Sequence, residues 1–143
     1  HAVNLMKMID RGELQAGVVR NLDLWSLVPV LQAAGAVMPD QDWLILAKNA
    51  ALTQRPFVSL SPIVLAAVKQ AADNRRVAET ILLTNWLLQT GPLENINPED
   101  IAKLVSALRS IGQEDVAKAL SREILRAHLL MRFAAGIMDE TTS

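Results

Sequence analysis

The chain has 143 residues, 51% of them apolar and 20% charged, with a formal net charge of -1 and a pI near 6.1. A chain of that length is the size of one domain and can bury about two-thirds of the surface its unfolded form exposes, so it needs no staples to hold a core. The near-neutral charge removes the long-range basic field behind non-specific nucleic-acid binding, and the absence of cysteine removes disulfides, thiolate metal sites and a cysteine nucleophile.

With no tyrosine and few aromatics, aliphatic side chains must make almost the whole core, and the apolar content leaves some surface over for a partner. The apolar runs fall well short of the roughly 18 residues that a membrane span needs, so no transmembrane helix is expected. Lack of cysteine is compatible with more than one compartment and fixes none. The chain opens "HAVNLMKMID", without an initiator Met and without the basic-then-apolar layout of a signal peptide, and reads as a domain of a larger polypeptide.

The first clear element is "LDLWSLVPVLQAAG", ending at Gly35, in which Pro29 must either kink a helix or mark its first turn. "PDQDWLILAKNAAL" begins a second helix at Pro39, where Asp40 and Asp42 serve as start signals. "TQRPFVSL" reads as an extended link, because Pro56 pushes Arg55 out of the helical region. Ser61-Pro62 then caps "IVLAAVKQAA", a break near Asp73-Asn74 follows, and "VAETILLTNWLLQT" runs on to Gly91-Pro92. The helix from about Arg76 to Gln89 is apolar over most of its circumference and is expected to be the most buried element, with Trp86 in the core.

Asn97-Pro98-Glu99-Asp100 is a strong helix start: an N-cap side chain, Pro where its missing N–H costs nothing, and acids at the positive end of the dipole. Ile101, Leu104, Val105, Leu108 and Ile111 then fall on one face, and Gly112 supplies the stop. The last helix is expected from about Glu114 to Phe133, ending before Gly136, with Val116, Leu120, Ile124 and Ala127 on its apolar stripe. Glu99 with Lys103 and Glu114 with Lys118 have the spacing of i,i+4 ion pairs on solvated faces.

Three stretches align: "LVPVLQAAG" (Leu27 to Gly35), "VLAAVKQAA" (Val64 to Ala72) and "LVSALRSIG" (Leu104 to Gly112), at offsets of 37 and 40 residues. Each carries bulky aliphatics at its first and fifth positions and Gly or Ala at its ninth, where a tight turn or close helix contact wants a small residue. Offsets in this range are those of stacked two-helix units. In pattern the stretch from about Leu22 to Arg132 resembles the helical-hairpin repeat solenoids, of which the tetratricopeptide type is one. Their Trp, Leu-Gly, Tyr and Pro signature is absent, so the resemblance brings no binding residues with it.

The expected fold is therefore all-α, about six to eight helices in consecutive antiparallel hairpins. Units at 22–52, 61–90 and 97–135 would form a short right-handed superhelical array, or alternatively a closed bundle. No catalytic constellation is visible. His128 has no second ligand at metal spacing on its own helix, the glycines form no phosphate-cradling loop, and Thr80 and Thr84 are explained by hydroxyls bonded one turn back.

No cofactor or metal is implied, and the chain is not expected to be an enzyme. The expected role is a non-catalytic protein-interaction or scaffolding domain, with a protein partner or a neighbouring domain of the same polypeptide. The alternatives are an obligate helical homo-oligomer and a helical accessory or lid domain of an enzyme. Candidate partner-binding residues are Lys118, Arg122 and Arg126, a basic stripe at i, i+4 and i+8, with Arg132 farther on, and Trp25 and Trp43 as aromatic anchors.

Overall fold

A computed structural model describes residues 11–13, 19, 24–42 and 57–142, with the backbone alone at 132 and 135–142. The described chain is helical, and among the described residues extended pairing is limited to two isolated bridges, Glu13 with Val37 and Val58 with Ile96. A 3-10 turn at Trp25–Leu27 leads into α1 (Val28–Ala33). Two helices, α2 (Pro62–Asp73) and α3 (Val77–Leu88), follow as a pair. A second 3-10 turn at Leu93–Asn95 precedes α4 (Pro98–Ser110) and the long α5 (Glu114–Thr142).

The starts follow their local chemistry. Pro29 sits in the first turn of α1 and does not kink it. The Ser61 hydroxyl accepts from the Val64 amide, and Asn97 Oδ1 accepts from the Glu99 amide at 3.0 Å.

The stops of α1, α2 and α4 share one geometry. In each, two amides beyond the helix turn back to its last carbonyls: Gly35 and Ala36, Arg75 and Arg76, Gly112 and Gln113. The turning residue is left-handed each time, at φ 103° for Gly35, 56° for Arg75 and 81° for Gly112. Glycine takes that conformation freely, whereas Arg75 does so against the clash of its own Cβ. The middle copy of the aligned stretches therefore turns at Arg75. Ala72, its ninth residue, still lies inside α2.

The core gathers on α4, whose Ile101, Leu104, Val105 and Leu108 are fully buried. Four helices share it: α1, α2, α3 and α5 all pack on α4, while α5 also covers the Leu93–Asn95 turn. The all-α class is as expected, but the array of repeats is not confirmed. In a one-dimensional array each unit touches its neighbours alone, and here α1 of the first expected unit packs directly on α4 of the third.

Several local expectations are corrected. The helix around Arg76 to Gln89 is not the most buried element: α3 buries Thr80, Thr84 and Leu87, and leaves Leu82 69% and Trp86 61% exposed. The Thr80 and Thr84 hydroxyls donate to the carbonyls of Arg76 and Thr80 at 2.7 and 2.8 Å, so the inward face carries its polar groups already satisfied. Helix α5 runs through Gly136 to Thr142. Its buried stripe is Ala117, Ser121, Ile124 and His128, with Leu120 and Leu125 beside it, which turns Val116 outward. Glu114 pairs with Arg109 across the turn at 3.3 Å and not with Lys118, and Glu99 with Lys103 forms no ion pair either.

The link at 57–61 is tied down by three bonds. The Val58 amide donates to the Asn95 carbonyl at 2.7 Å, the Asn97 amide to the Val58 carbonyl at 2.9 Å, and the Leu60 amide to Asp100 Oδ2 at 2.9 Å. Asp100 is buried, so its carboxylate serves the fold of this segment.

Three stability tests follow from these stops and ties. Arg75→Gly should raise the free energy of unfolding by about 1 kcal/mol in a urea titration, because it removes a left-handed Cβ clash. Gly112→Ala should lower it by about 1–2 kcal/mol. Beyond Gly112 and its two chain neighbours no heavy atom of the described residues lies within 4 Å of that Cβ position, so the loss there is backbone strain. Asp100→Ala should cost about 1–3 kcal/mol by leaving the Leu60 amide buried without an acceptor, and Asp100→Asn should recover most of it. Equal losses for Ala and Asn would show that the bond is not the cause.

Candidate functional site

The described surface has a sizeable concavity, an open groove of about 950 Å³ bounded by α1, α2, α4 and the link residues Ser59 and Leu60. Its position follows from the two strongest helix starts in the chain. Pro62 opens α2 and Pro98 opens α4, and the Leu60-to-Asp100 bond sets these starts side by side. Leu65 and Val68 of α2 and Leu104 of α4 supply an apolar floor, and Pro29 and Ala33 of α1 close one side.

The groove stays open because its walls carry small side chains. On α4, Ala102, Ser106 and Ser110 fall at i, i+4 and i+8, one ridge of the helix, and all three line the groove. On α2, Ala66 and Ala72 do the same. Helices packed through larger residues would have filled this space; here the packing ends one layer short of it.

Four ionised side chains line it. Lys69 Nζ and Asp73 Oδ2 are paired at 3.3 Å, one turn apart on α2 and well exposed. Asp100 is occupied by the Leu60 amide. Lys103, exposed on α4, has no carboxylate within 4 Å among the described residues.

A second surface is convex. Leu82 and Trp86 stand one turn apart on the outer face of α3 with Glu79 beside them, and Glu79 is held by Arg76 at 2.7 Å. Ile63, at the start of α2, is 81% exposed. On α5, Leu130 and Phe133 are also exposed.

The residues singled out from the sequence do not converge on the groove. Lys118, Arg122 and Arg126 lie along α5; the first two are half-buried, and Arg126 is exposed and paired with Glu123 at 3.5 Å. Trp25 is half-buried against the core. Trp43 and the side chain of Arg132 fall outside the described residues. Trp86, expected in the core, is instead the largest exposed side chain of α3.

His128 is buried on α5, and among the described residues no group of three or more His, Asp or Glu side chains is placed to hold a metal ion. No helix among them is long and apolar enough to cross a membrane. The groove escaped the sequence reading because it forms between segments distant in the chain. Its one local signal was the small-residue spacing of Ala102, Ser106 and Ser110. No protein family, curated protein or solved structure matches the chain.

Proposed function

We propose that the chain is a non-catalytic protein-interaction module and that a partner seats in the groove between α1, α2 and α4. The observation that supports this is the groove itself: a concave, apolar-floored opening with a few polar groups at its rim. Among the described residues its lining places no nucleophile beside a base and no metal-ligand cluster.

The test is to fill the groove. Ala66→Trp and Ser106→Trp place a bulky side chain on opposite walls at positions already exposed, so the fold should tolerate both. Peptides selected from a displayed random library against the wild-type chain should lose at least about tenfold in affinity for either variant, a difference of about 1.4 kcal/mol. Circular dichroism should be unchanged. Selected peptides that bind the filled variants as tightly as the wild type would remove the groove from the account.

A second reading, self-association, is favoured by the outer face of α3, where Leu82 and Trp86 place two large apolar side chains in solvent. On that reading, light scattering gives an oligomer at micromolar concentration and Trp86→Glu returns it to a monomer. A wild-type chain that is already a monodisperse monomer sinks it.

A further inference from the structure

We infer that the partner of the groove is an amphipathic α-helix that sets a carboxylate against Lys103. This rests on the reading of the groove as an interaction site and specifies its occupant.

Three kinds of peptide recognition are available to a groove, and two of them lack their requirements here. Adding an extended strand needs a sheet edge with a run of free amides and carbonyls; the described lining is helical apart from Ser59 and Leu60, and their short link is already bonded to 95–100 through Val58 and the Leu60 amide. Seating a polyproline segment needs aromatic walls, and among the described residues no Phe, Trp or Tyr lines the groove. A helix satisfies its own backbone and asks only for an apolar floor and walls small enough to let it approach, which Leu65, Leu104, Ala66, Ala102 and Ser106 provide.

Charge then sets the orientation. Lys69 and Asp73 neutralise one another, and Asp100 is turned to the Leu60 amide. Among the described residues that leaves Lys103 as the groove charge without an ion-pair partner, placed where a docked helix can meet it with Asp or Glu.

The experiment pans the full chain against two displayed libraries, one randomising a single face of a stable two-helix scaffold and one of unconstrained peptides. The expected result is enrichment from the helix-face library of clones that Ser106→Trp abolishes and that carry Asp or Glu at one recurring position. Lys103→Glu should weaken those clones about tenfold or more, and Lys at the recurring acidic position should restore binding to that variant. Lys103→Ala, which introduces no new charge, should fall between the two. Groove-dependent clones drawn only from the unconstrained library, or helical clones indifferent to Lys103, overturn the inference and leave the interaction reading standing. The absence of groove-dependent clones from both libraries overturns the two together.

Discussion

Burial of α4 on several sides is the constraint from which the rest of the structure follows. Ile101, Leu104, Val105 and Leu108 are all withdrawn from water, and at roughly 1.5–3 kcal/mol for each fully buried aliphatic side chain they make the largest local contribution in the described chain. The four share one face of α4, and four other helices pack on that helix. α1, α2, α3 and α5 each take part of the work, and the chain folds around its fourth helix rather than stacking unit upon unit. The bonds that tie 57–61 to 95–100 serve the same end, since they fix where α2 begins relative to α4.

The groove is a by-product of that centre. A hub helix ringed by neighbours must present some ridge toward the gap between two of them, and on α4 that ridge is Ala102, Ser106 and Ser110. With leucine at those positions the gap would close and α2 would gain core. With small residues it stays open, at the expense of packing that the domain is large enough to forgo. An unfilled apolar floor adds nothing to the stability of the chain alone.

How far the sequence announces this structure depends on whether a feature is local. The starts at Ser61-Pro62 and Asn97-Pro98 and the stops at Gly35 and Gly112 are legible because each needs a residue type that little else can replace. The stop at Arg75 is hidden: the tertiary fold forces a non-glycine residue into the left-handed region, and nothing in an arginine signals it. The orientation of α3 is hidden for another reason. A helix apolar nearly all round has no preferred side, and the two threonines turn inward because their hydroxyls are satisfied one turn back, which makes their burial inexpensive. Helix α5 passes through Gly136 because a glycine within a helix costs only about 1 kcal/mol and stops nothing by itself. The groove required knowing that α1 returns to α4, a contact between segments that no periodicity connects.

The two apolar surfaces differ in what they can accept, and the difference is one of shape. The face of Leu82 and Trp86 is convex and its side chains are large, the form of an anchor that inserts into something else. The groove is concave, its lining is small, and it is the form of a receptor. If the anchor of one copy entered the groove of the next, the contact would be head-to-tail, and copies would close into a ring or grow into a filament. A two-fold dimer would instead pair α3 with α3 and leave both grooves open to solvent. The second arrangement would leave the groove open and cover the exposed tryptophan, so the two readings, self-association through α3 and a partner in the groove, do not exclude one another.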